Sequence, residues 1–126
     1  MLWLGIAVGG AVGSMARHAV NVLVQHRFLA SGFPGSTFVV NVVGCLTIGA
    51  LAGLVATARL DLSEQARAFL FVGVLGGFTT FSSFGLDTFV LARGGHTAMA
   101  AVNAAGQLVL GLTAVWLGYA AGSWRP

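Results

Sequence analysis

Apolar residues fall in four long runs along this chain, at about 2–24, 33–58, 66–92 and 97–122. Each matches the ~20 residues that a helix needs to cross a bilayer. Only short polar breaks interrupt them: QHR at 25–27, RLDLSEQAR at 59–67 and RGGH at 93–96. The pattern predicts an all-α integral membrane protein with four transmembrane helices, built as a single membrane domain over residues 1–126. The first run reads as a retained helix and not a cleaved leader. No basic residue precedes it, and Arg17 and His18 interrupt its far end. Ser63 stands where it would cap the third helix, with Glu64 and Gln65 in the first turn.

Composition sharpens the solvent. The chain is 57% hydrophobic and 7% charged, with a mean hydropathy of +0.92, whereas a soluble domain carries about a quarter charged residues. Such a surface cannot face water on all sides, so lipid is its expected partner. The formal +3 charge comes from six arginines set against three acids. They are scattered, and no basic run or face exists to track a nucleic-acid backbone. The lone Cys45 excludes an internal disulfide and a cysteine-based zinc site, and reads as a small apolar residue. Nothing suggests an enzyme: there is no nucleophile–base pair, metal cluster or phosphate loop.

Charge gives little instruction about orientation. Four spans put both termini and the 59–67 loop on one side, with Arg59, Arg67 and Arg125, against Arg27 and Arg93 on the other. Three arginines against two is not the excess that the positive-inside rule needs. Either one arginine decides, or both orientations occur and inverted copies pair about an axis in the membrane plane. Glycines spaced four apart, at Gly5/Gly9/Gly13, Gly49/Gly53 and Gly118/Gly122, predict close helix approach within or between chains.

Polar residues inside the runs carry the candidate chemistry, because lipid makes them costly. They are Arg17, Asn41, Thr47, the hydroxyls of the stretch GGFTTFSSF at 76–84, Asp87, Asn103, Gln107 and Thr113. On a helix advancing roughly 100° per residue, Phe78, Phe81 and Phe84 share one arc, while Thr79, Thr80, Ser82 and Ser83 take most of the other. The bland reading is a packing face, with hydroxyls bonded back to their own helix. The sharper reading starts from Gly76–Gly77, a place to break the third helix and free carbonyls for a cation such as Na⁺. Hydroxyls, amides and the positive edges of phenyl rings would then serve an anion held weakly enough to leave. Asp87 is either the carrier acid of a proton-coupled exporter or a hydrated group at the membrane edge. Arg17 either snorkels, pairs across helices or draws anions into a vestibule. His18, His26 and His96 have no metal-ligand spacing.

GGFTTFSSF, together with GSTFVVNVVGC around Asn41, VNAAG around Asn103 and GGAVGSMAR leading to Arg17, resembles the Fluc (CrcB-like) fluoride channels. The likeness runs in order over essentially the whole chain. It implies a fluoride-selective passive channel that relieves fluoride toxicity, in the inner membrane of a bacterial cell. It further implies an antiparallel, dual-topology homodimer with two pores. By the same resemblance, Phe81 and Phe84 line the anion pathway with Asn41, and Thr80, Ser82 and Ser83 supply part of the polar track opposite. Asn103 and Gln107 join this pathway from the fourth helix, and the carbonyls of Gly76 and Thr79 hold a central structural Na⁺. Arg17 matches the family's first-helix arginine. One departure stands out: Gln107 occupies the position of the family's usual serine. The competing expectation from a different class is a small dual-topology, proton-coupled multidrug exporter that uses Asp87.

Overall fold

The computed structural model describes residues 1–125. Helix α1 spans Leu2–Phe28 and α2 spans Gly35–Ala56. A third helix, α3, covers 64–78 in three pieces: an α-helical turn at Glu64–Arg67, a π-helical stretch at Ala68–Leu75, and a last turn at Gly76–Phe78. Helix α4 is Phe81–Arg93 and α5 is Thr97–Ser123. No strand occurs among the described residues.

Three segments are long and apolar enough to cross a membrane: Gly35–Ala56, Glu64–Arg93 and Thr97–Ser123. At 27 residues α1 has the length, but Arg17, His18, Asn21 and Gln25 make its second half more polar. The polar break at 25–27 is not a break in the helix, which runs on to Phe28. Gln25, His26 and Arg27 form the last turn of α1, where His26 and Arg27 meet the negative end of the helix dipole. Ser63 does cap α3, its Oγ accepting the Ala66 N–H at 3.2 Å.

Two glycine seams hold the bundle. In the first, α2 lies against α5. A methyl group on Gly49 or Gly53 would collide with the Val115 or Tyr119 carbonyl, and one on Gly118 or Gly122 with that of Leu46 or Ala50. In the second, α1 meets α3: a Cβ on Gly9 would stand 2.6 Å from the Phe69 carbonyl, and one on Gly13 would strike Val74. Gly5, counted in the same stripe, has open space around it.

Arginines close the helix ends. Arg59 donates to the carbonyl of Gly122 in the last turn of α5 at 3.3 Å and to that of Trp124 just past it at 2.8 Å. Arg125 donates to the Thr57 carbonyl at the end of α2, at 3.0 Å. The C-terminal carbonyls of both helices lack helical partners, so cationic donors suit them. The resulting bundle is inverted relative to a soluble protein. Its buried residues are mostly glycines with Asn103 and Gln107, while Trp3, Leu4, Val8, Leu108, Leu112 and Trp116 face outward.

Candidate functional site

The chain interrupts its own membrane span at mid-depth. Thr79 and Thr80 are extended, at φ −82°, ψ 161° and φ −154°, ψ 112°. This is near the centre of the 30-residue Glu64–Arg93 segment. The break was expected at Gly76–Gly77, but Gly76 is helical at φ −64°, ψ −36°. A partner 39 residues away moves it. Asn41 on α2 takes the Thr80 N–H on Oδ1 at 2.9 Å, and its Nδ2 donates to the Thr80 carbonyl at 3.1 Å. One side-chain amide thus pairs with a backbone peptide as a second peptide would. In an unbroken helix the Thr80 N–H would bond the Gly76 carbonyl. Here that carbonyl loses its usual donor.

The new helix starts from the same residue. Thr80 Oγ1 accepts the Ser83 N–H at 3.1 Å as an N-cap, and it lies 3.0 Å from Ser83 Oγ and 3.3 Å from Ser82 Oγ. A single helical wheel through Phe78, Phe81 and Phe84 therefore does not describe this stretch. Phe78 ends one helix, Phe81 and Phe84 begin the next, and two extended residues lie between. The Phe81 and Phe84 rings do associate, with centroids 5.4 Å apart and planes tilted by 47°. Phe81 is 82% exposed on this single chain. Thr79 follows the bland expectation: its Oγ1 donates to the Leu75 carbonyl at 2.9 Å. Thr47 and Thr113 also bond back, to Val43 and Val109, each at 2.8 Å.

From Asn41 a relay of uncharged groups leads across to α5 and returns to α4. Asn41 Nδ2 donates to Gln107 Oε1 at 2.7 Å, and Gln107 Nε2 donates to Asn103 Oδ1 at 2.9 Å. Asn103, with 0% exposure, donates from Nδ2 to Thr88 Oγ1 at 2.8 Å. Thr88 Oγ1 then donates to the Phe84 carbonyl, also at 2.8 Å. Sequence reasoning missed Thr88. Its signal was the spacing Phe84–Thr88, one helical turn, which lets a hydroxyl reach the carbonyl behind it. Interhelical hydrogen bonds in membranes average only about 0.6 kcal/mol each. A relay of this size therefore fixes geometry more than it stabilises the bundle.

A groove of about 430 Å³ opens over the break. Asn41, Gly76, Thr79, Thr80, Phe84 and Gln107 line it, with Phe81 at its side and Cys45 among the apolar walls. Arg17 is half-buried on α1 and belongs neither to the groove nor to the relay. Asp87 also lies off the groove, on α4, where its Oδ2 is buried without a hydrogen-bond partner. Ser82 is exposed beside the cap and does not reach the groove lining.

An all-helical membrane bundle with a broken span and an uncharged polar relay defines the class: a multi-pass membrane protein with a polar site at mid-depth. Residues 4–119 match the family described as CrcB-like protein, Camphor Resistance (CrcB). The chain is 48% identical to the fluoride-specific ion channel FluC of Methylobacillus flagellatus, over 90% of this chain and 88% of that protein. It is 50% identical to the protein of the same name from Opitutus terrae, over 95% and 91% respectively. With that from Thermus thermophilus it shares 47%, over 95% and 94%. The chain belongs to the CrcB-like family, whose relatives named here are ion channels and not enzymes.

Proposed function

We propose that this chain is a fluoride-selective passive channel that lets the ion leave the cell and so relieves its toxicity. The observation that carries the reading is the uncharged donor set around the break, open to the groove at mid-membrane. Moving a bare ion into a medium like dry protein costs tens of kcal/mol by Born estimates. Fluoride is small and strongly hydrated, so its water must be replaced by close donors. The Asn41 and Gln107 amides, the Thr80 hydroxyl and the rim of the Phe84 ring border that space, and Ser83 stands behind Thr80, whose hydroxyl it contacts. None is charged, so the ion is not trapped, and a larger halide fits the same donors poorly. The name shared by relatives at 43–50% identity supports the same ion.

The channel is read as a four-span subunit, α1 included, that pairs with an inverted second copy in the cell membrane of a bacterium. Trp3 near the start of α1 and Trp124 after α5 are both highly exposed, as residues of an aromatic belt at one membrane face would be. The exposed Phe81 beside a one-sided groove supports a second copy that completes each of two pathways. The donor set also suits a structural Na⁺. Carbonyls of the break, those of Gly76 and Thr79, are oxygen ligands left without helical donors, the kind that replace a cation's water. When bound, such an ion would supply a fixed positive charge that ties the two copies together. Asp87 lies away from the groove, so an exporter that uses it gains no support.

Reconstituted vesicles test the proposal. Fluoride release should be rapid, need no proton gradient, far exceed chloride release, and vanish in Phe81→Ile. Vesicles no leakier to fluoride than empty ones would end it.

A further inference from the structure

The residue expected to hold the anion has no donor to spare. Asn41 Nδ2 carries two hydrogens. One goes to the Thr80 carbonyl at 3.1 Å and the other to Gln107 Oε1 at 2.7 Å. The amide cannot turn over to release one, because its Oδ1 accepts the Thr80 N–H at 2.9 Å. The far end of the relay is equally fixed. Thr88 gives its single proton to the Phe84 carbonyl, so it must accept from Asn103 Nδ2. Asn103 then presents Oδ1 to Gln107 Nε2, and Gln107 presents its oxygen to Asn41. Asn103 is fully enclosed, whereas Gln107 lines the groove. Of the two acceptors on Asn41 Nδ2, the Thr80 carbonyl is held in the backbone, and only Gln107 Oε1 belongs to a side chain with rotatable bonds.

We propose that Gln107 Oε1 occupies, on Asn41, the place that the permeating anion takes, so that fluoride enters by displacing it. This rests on the channel reading above. The affinity of the site is then a difference between two acceptors competing for one N–H. A bare anion is the stronger acceptor. The amide oxygen is already in place and needs no dehydration. It returns when the ion moves on, so the Asn41 donor is never left unpaired in a low-dielectric site. Serine at this position would be too short to reach across to Asn41 in the same way, which makes Gln107 a residue that sets affinity in this chain.

The experiment is fluoride efflux from vesicles, measured against fluoride concentration for the wild type, Gln107→Met, Gln107→Ser and Gln107→Glu. Methionine keeps the length and removes the acceptor, and serine removes both. Both variants should lower the half-saturating fluoride concentration about fivefold, the factor that one hydrogen bond of ordinary net strength supplies. Glutamate keeps a stronger, charged acceptor on Asn41 and should raise it at least tenfold. A half-saturation unchanged or raised in both Gln107→Met and Gln107→Ser overturns the proposal. Calorimetric titration of the purified proteins with sodium fluoride reads the same shifts without transport. A protein that leaks no fluoride therefore sinks the channel reading, while equal dissociation constants in wild type and Gln107→Met sink this one.

Discussion

Single residues set three local features of this molecule, the end of α2 at Ala58, the Ser63 cap and the Thr79–Thr80 break held by Asn41, and they differ in how they were encoded. Ala58 follows α2 in the left-handed region at φ 54°, closing the helix with Arg59 N–H on the Leu54 carbonyl at 3.0 Å and Ala58 N–H on that of Val55 at 3.1 Å. Glycine fits that position without the penalty of a Cβ, which is about 1–2 kcal/mol. Ala58→Gly should therefore stabilise the protein by about 1 kcal/mol in denaturant unfolding, and a loss of stability would contradict this account of the turn. Ser63 was legible as a cap because its partner lies three residues on. The Thr79–Thr80 break was not legible at its true position. Gly76 and Gly77 have the more permissive backbones, but Asn41 decides, and no local pattern links residues 39 apart. The relay was half legible: Asn41, Asn103 and Gln107 stand out as amides in apolar runs. Their mutual order did not, since it depends on which faces α2 and α5 turn toward each other.

At the scale of elements, backbone-to-backbone approach organises the bundle. Gly118 sits where any side chain would meet the Leu46 carbonyl, with backbone on both sides of the contact. Gly118→Val must push α2 and α5 apart. Overpacking of this kind costs about 1–3 kcal/mol or more. The variant should show reduced thermal stability in detergent, and fluoride release should fall with it, because Asn41 and Gln107 stand on the two separated helices. A variant as stable as the parent would mean the seam is looser than described. The four-residue glycine spacing made this seam readable beforehand, as did the length of the apolar runs. Helix ends were less so: α1 extends to Phe28 through residues that read as a polar break. Charged side chains at a helix terminus satisfy the dipole and the interface together, so polarity there does not mark a loop.

On the whole-molecule scale, the chain hides small and polar residues and displays large apolar ones, the arrangement expected when lipid is the solvent. Two of the arginines counted for orientation, Arg59 and Arg125, are tied to helix-end carbonyls. On the proposed four-span reading, the count of three arginines against two gives little bias between the sides. Labelling of tagged termini in intact cells should accordingly find each terminus accessible in about half the copies, and uniform orientation would remove the inverted pair from the proposal. The relay described above has a consequence at this scale. Donation proceeds in one sense only, from Asn41 toward the Phe84 carbonyl. A subunit is thus electrically polar along that line, and a partner inserted upside down, as proposed above, would carry the opposite arrow. Paired in this way, the assembly would pass equal currents under voltages of either sign, a valve with no preferred direction whose flow obeys the gradient alone.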